Sequence, residues 1–130
     1  MKIVVDTSAV IAVIVGEPNK AKLIELTKGA TIVAPPSIVW EVGNAFSAML
    51  KRSRISLEQA IEALEIYQEI PVEIVEIDLK EAVRLAGKCN IYAYDAYILQ
   101  CAIEQCLPLI SLDKNLISIA KREGIQVIKV

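Results

Sequence analysis

The chain of 130 residues contains no histidine. That removes the side chain most suited to proton transfer near neutral pH, and the commonest ligand of zinc and copper. Its three cysteines, Cys89, Cys101 and Cys106, are odd in number and lack close metal-type spacing. Both features argue against a disulfide framework and a structural zinc site. The five glycines, Gly16, Gly29, Gly43, Gly87 and Gly124, stand alone, so no glycine-rich loop is present to cradle a phosphate. No apolar run approaches the ~20 residues of a membrane span. Linkers, repeats and low-complexity segments are also missing. Lys2 ahead of an apolar stretch has the outline of a signal peptide, but Asp6 interrupts it and Gly16-Glu17-Pro18 is a poor cleavage site. The expectation is a cytoplasmic protein with buried thiols. A net charge of −2 and a pI near 5.2 do not advertise a nucleic-acid binder.

What is abundant is apolar. Such residues make up 55% of the chain, and the mean hydropathy is +0.48. The length fits one domain with a sizeable core. Continuous apolar runs suit the strands of a sheet covered on both faces. Apolar surface is left over, which favours an oligomer or a permanent partner.

The chain reads as an alternation of strands and helices. Lys2 to Val5 is a buried strand, and a helix follows to Val15. Pro18 fits the first turn of a helix that Gly29 ends. Thr31 to Ala34 is a strand stopped by Pro35-Pro36. Ser37 to about Arg52 is a long helix, and Ser56 with Gln59 is a capping-box pattern opening the next, to about Glu69. Glu73 to Ile77 is a strand, then Asp78 starts a helix closed by Gly87. A helix opening at Tyr94-Asp95 ends near Cys106. Leu109 to Leu112 is a strand, Lys114 to Arg122 a short helix, and Gln126 to Ile128 a final strand. This order predicts a three-layer α/β/α fold with a mainly parallel sheet.

On that frame four acids meet at one edge. Asp6 and Asp113 each follow an apolar strand, at the carboxyl edge where open α/β sheets place ligands. Glu41 lies early in the helix leaving the second strand. The helix from Asp95 must begin at the same edge to feed the strand at Leu109 from below. Neighbouring carboxylates repel, and one or more must titrate high unless a cation relieves them. All-oxygen ligands suit magnesium or manganese. One or two such ions activate water and stabilise an in-line phosphoryl displacement.

The set Val5-Asp6-Thr7-Ser8, Glu41-Val42-Gly43-Asn44, Asp95-Ala96 and Ser111-Leu112-Asp113 resembles the PIN-domain ribonucleases, most closely the VapC-type toxins of toxin–antitoxin pairs. Gly16-Glu17-Pro18 and Pro108-Leu109-Ile110-Ser111 look like that family too, and the resemblance covers essentially the whole chain. It implies a five-stranded parallel sheet in which the strands ending in Asp6 and Asp113 are neighbours. It also implies a magnesium-dependent endoribonuclease, a homodimer held inactive by a small antitoxin. Carried over by position, Asp6, Glu41, Asp95 and Asp113 would ligate the metal and orient the attacking water. Ser111 would hold the Asp113 carboxylate, and Thr7 and Ser8 would do the same beside Asp6. Position 111 is Ser where Thr is commoner. Position 115 is Asn where some members carry an acid, which bears on a second ion more than on the first.

Plainer readings compete at each position. Asp6, Asp95 and Asp113 are all placed to cap helices, and Glu41 could be a surface acid. Asn44 lies one turn after Glu41 and is a candidate to orient it. Glu58, Glu62, Glu65 and Glu69 form a solvated stripe. Tyr92, Tyr94 and Tyr97 fit packing better than base stacking. Lys114 and the group Lys51, Arg52 and Arg54 are candidate RNA contacts, since setting the four acids aside leaves the 14 basic residues in excess. The competing functions are a magnesium-dependent phosphatase or phospho-acceptor domain, and a binding module without turnover. Ser8 stands where a haloacid-dehalogenase-like site needs a second acid, and a receiver domain needs an acidic pair where only Asp6 is present.

Overall fold

The computed structural model describes residues 1–130. The elements in order are β1 (Lys2–Val5), α1 (Thr7–Val15), α2 (Lys20–Thr27), β2 (Thr31–Ala34), α3 (Ile38–Lys51), α4 (Leu57–Glu69), β3 (Val72–Ile74), α5 (Leu79–Cys89), α6 (Ala93–Gln105), β4 (Leu109–Ile110) and α7 (Lys114–Arg122). The sheet runs β3-β2-β1-β4, and every pairing is parallel. No helix is long and apolar enough to cross a membrane.

β1 is the hub because its three last side chains serve both layers. Ile3 and Val5 pack with α1, α3 and α4 through Ala9, Val42, Phe46 and Ala60 on one side. Val4 points to the other side, toward Ile98, Leu99 and Ala102 of α6 and Leu116 of α7. Ile3, Val4 and Val5 are all buried, each stabilising the fold by roughly 1.5–3 kcal/mol through the apolar surface it removes from water. The period-two alternation of a strand thus appears here as two apolar cores rather than as core and solvent.

The expected fifth strand is absent as a strand. Beyond β4 the chain makes one isolated parallel bridge, Leu109 to Val127, carried by Leu109 N–H to Gln126 O and Ile128 N–H to Leu109 O, both 2.9 Å. β4 is only two residues long, so it offers a partner no longer ladder. One helix end also differs. α5 continues through Gly87 to Cys89 and is closed by Asn90 at φ 53°, a left-handed position that Asn tolerates. The capping box of α4 forms as expected: Ser56 Oγ accepts from Gln59 N–H at 3.1 Å, and Gln59 Oε1 from Ser56 N–H at 2.9 Å.

The strand order places a topological switch between β1 and β4. From β1 the chain moves through β2 and β3 on one side, then crosses to β4 on the other. The crevice outside the carboxyl ends of β1 and β4 is where open α/β sheets bind ligands.

Candidate active site

Asp6 stands in that crevice, and two serines hold it there. Ser8 Oγ donates to Asp6 Oδ1 at 2.6 Å, and Ser111 Oγ donates to Oδ2 at 2.7 Å. Each serine is itself held by backbone after β4: Ser8 Oγ accepts from Leu112 N–H and Ser111 Oγ from Asp113 N–H, both at 3.0 Å. Ala9 N–H reaches Oδ1 at 3.3 Å, so Asp6 is also the N-cap of α1. The capping oxygen of α1 is therefore that of Asp6 itself. Ser111 likewise holds the Asp6 carboxylate and touches Asp113 only through its backbone, the reverse of the expected pairing. The reason is register: Val5 pairs with Ile110, which sets the residues after each strand side by side.

These donors favour ionised Asp6, yet burial outweighs them and its pKa is raised, with repulsion from Asp113 adding to the rise. Glu41, in the first turn of α3, is pushed up to about 7, first by burial and then by the charges of Asp6 and Asp95. Its Oε2 accepts from Ser37 Oγ at 3.3 Å. Asp95 is raised by burial and by Asp113. Repulsion therefore links all four carboxylates: Asp6 to Asp113, Asp113 to Asp95, Asp95 to Glu41, and Glu41 to Asp6. Asp95 is not a cap, because α6 starts at Ala93 and its N-cap is Tyr92. Packing of Ile98, Leu99 and Ala102 over Val4 brings the start of α6 above the end of β1. Asp113 is a cap: its Oδ1 accepts from Asn115 N–H at 2.9 Å and Leu116 N–H at 3.1 Å.

The donor chemistry fits a hard divalent cation, being all oxygen with mutual repulsion to relieve. The Thr7 hydroxyl adds a buried oxygen close enough to Glu41 to favour its ionised form, though in no well-formed hydrogen bond. No three of the acids converge on one ligating point in their present rotamers. Asp6 is fixed, so gathering around an ion falls to the less tethered Glu41 and Asp95.

Other candidates fall farther away. Asn44 is exposed, and Ser37 rather than Asn44 bonds Glu41. Ser37 was legible in the sequence as the residue one turn before Glu41. Lys51, Arg52 and Arg54 lie at the opposite end of α3, about 15 Å along the axis from Glu41, so the fold does not bring them to this edge. Lys114 is next to Asp113 and does reach it. Tyr92 is 89% exposed and so takes no part in the core, whereas Tyr94 and Tyr97 meet edge to face at 6.0 Å.

A wholly parallel α/β sandwich here carries a clamped carboxylate and three further acids at its switch point. The chain belongs to the PIN domain family, whose pattern matches residues 3–122. Among solved structures it is similar to PAE2754 from Pyrobaculum aerophilum, at 24% identity and a TM-score of 0.72, covering 98% of this chain and 83% of that one. It is similar to VapBC2 from Rickettsia felis bound to a DNA fragment from their promoter, at 18% identity and 0.67, covering 98% of each chain. A third is VapC20 of Mycobacterium tuberculosis, a Sarcin-Ricin loop cleaving toxin, at 15% identity and 0.63, covering 89% and 93%. At these identities the likeness is one of fold. No curated protein matches the chain.

Proposed function

We propose that the chain is a magnesium-dependent endoribonuclease, hydrolysing RNA phosphodiester bonds as the toxin of a toxin–antitoxin pair. The observation that carries this reading is the buried Asp6 carboxylate, clamped by Ser8 of α1 and by Ser111 just after β4, and electrostatically linked to Glu41, Asp95 and Asp113 at the crevice beyond the strand ends. Membership of the PIN domain family and the fold shared with a Sarcin-Ricin loop cleaving toxin and with VapBC2 support it. A small antitoxin and a second copy of the chain are the proposed partners. Exposed Trp40, Leu79 and Val83 offer apolar surface for them. The proposed location is the cytoplasm.

Asp6, Glu41, Asp95 and Asp113 would hold one or two magnesium ions, with manganese as a substitute. The ion would supply charge stabilisation for the phosphoryl group and acidify the attacking water. The protein's own part is positional. Ser8 and Ser111 keep Asp6 in one place and one orientation. Glu41 retains its proton up to about pH 7 without metal and would release it on loading, since ligating carboxylates must be ionised. With no histidine in the chain, Glu41 and Asp95 are the side chains left to orient water.

Incubation of the protein with RNA and magnesium tests this directly. Cleavage is expected with magnesium or manganese and none with EDTA. Asp6→Asn should cut at least ~100-fold more slowly, the scale of losing one group that stabilises developing charge, while circular dichroism stays unchanged. Equal cleavage by the variant would sink the nuclease assignment. Release of phosphate from a phosphomonoester, with RNA left intact, would favour the phosphatase alternative.

A further inference from the structure

We infer that the groove between α7 and the last residues of the chain is a phosphate track, holding the single-stranded RNA that leads into the acidic crevice. The inference rests on the nuclease reading and concerns how that site is fed. The groove encloses about 390 Å³. Three lysines line it: Lys114 and Lys121 from α7, and Lys129 from the facing segment. Lys114 and Lys121 are seven residues apart, two helical turns on one face, with Ile117 between them. No aspartate or glutamate side chain lines the groove; the main-chain carboxylate of Val130 is the one anion there, against three ammoniums. The ion pairs of the molecule use Lys2, Arg84 and Lys88, so all three groove ammoniums are unpaired.

In a chain of net charge −2 this is a local reversal of sign, and such a cleft concentrates anions. Its position says which anion. Ser111 is among the residues lining the groove, and the same side chain donates to Asp6 Oδ2. A polyanion lying along α7 therefore arrives at the proposed metal ligands. Lysine ammoniums act as point charges without a base-reading geometry, and the floor of Ile117 and Ile128 offers base edges no hydrogen bonds. The track grips backbone charge and leaves sequence unread.

The test is binding without cleavage. Fluorescence anisotropy of a short labelled single-stranded RNA is measured in EDTA across a range of salt, for the whole chain and for Lys114→Ala/Lys121→Ala/Lys129→Ala. Each phosphate contact on a single strand contributes about 0.7 to the slope of log K against log salt. The triple variant should therefore lose a slope of about 2, and lose affinity equally for unrelated RNA sequences. The triple Lys→Arg variant should keep the slope. Removing three exposed lysines elsewhere, with Lys20→Ala/Lys22→Ala/Lys28→Ala, should change it little. An unchanged slope in the groove variant, the same loss in the α2 control, or binding of single-stranded DNA but not RNA overturns the track. Failure of the nuclease reading shows separately, as wild-type protein that leaves RNA intact in magnesium.

Discussion

Glu41→Gln should stabilise the metal-free protein, and by an amount that depends on pH. In the folded chain this carboxyl is raised from 4.5 to about 7 by burial and by the Asp6 and Asp95 charges. Below pH 4.5 both folded and unfolded chains hold the proton, and no penalty arises. Between pH 4.5 and 7 the unfolded chain releases it while the folded chain keeps it, so stability falls as pH rises. Above pH 7 the folded protein carries the whole cost of an ionised Glu41. At 1.36 kcal/mol per pK unit the full shift corresponds to about 3.4 kcal/mol. Glu41 is only half-buried, and solvent screening reduces this to roughly 1–2 kcal/mol. Gln keeps an oxygen for the Ser37 hydroxyl and removes the charge. Urea unfolding in EDTA should show the variant more stable by that amount at pH 8, a rise in Tm of about 5 °C. At pH 5 the difference should shrink to a few tenths of that. Magnesium should close the gap at pH 8, because a ligand of the folded state stabilises the wild type in proportion to its occupancy. A variant less stable at pH 8, or a gain independent of pH, would refute the account of repelling carboxylates.

Two further substitutions separate structural from chemical roles. Ser111→Ala removes a donor from Asp6 and an acceptor from Asp113 N–H; denaturation at pH 7 should report a loss of about 2 kcal/mol, and RNA cleavage a 10–100-fold loss, with Ser111→Thr restoring most of both. Asp113→Asn preserves an N-cap for α7, so stability should stay within about 0.5 kcal/mol while cleavage is lost. Asp113→Ala should lose cleavage and also about 1 kcal/mol of stability, and cleavage that survives in Asp113→Asn would leave this residue a cap alone.

The parallel α/β architecture was legible because β1 is a continuous apolar run and strands alternate with helices. The expectation that Asp6, Glu41, Asp95 and Asp113 share one edge came from two arguments: a helix leaving a parallel strand begins at the carboxyl edge, and the helix of Asp95, which follows another helix, must begin there to feed β4 from below. What could not be read was set by tertiary register. Which serine meets which carboxylate depends on Val5 lying opposite Ile110, and sequence gives no register between strands so far apart. The fifth strand failed for a similar reason: Gln126 to Ile128 has strand-like residues, but β4 presents only one residue for it to bridge. Gly87 looked like a helix stop, yet nothing crowds it, and Asn90 one turn later takes the left-handed position. The grouping of Lys121 and Lys129 with Lys114 was invisible, since only the fold lays the last residues along α7.

The serine clamp also ties the site to the folding of nearly the entire chain. The bond from Ser111 to Asp6 spans 105 residues, and that from Ser8 to the Leu112 backbone spans 104. Contacts so distant in sequence must repay the entropy of closing a long loop. Until β4 docks beside β1, the Asp6 carboxylate has neither serine bridge nor the neighbouring Asp113. A half-folded chain, or a fragment cut anywhere in that span and separated, carries four scattered acids and no crevice. Activity in such a molecule works as a readout of completed folding, and proteolysis at one distant loop suffices to disarm it.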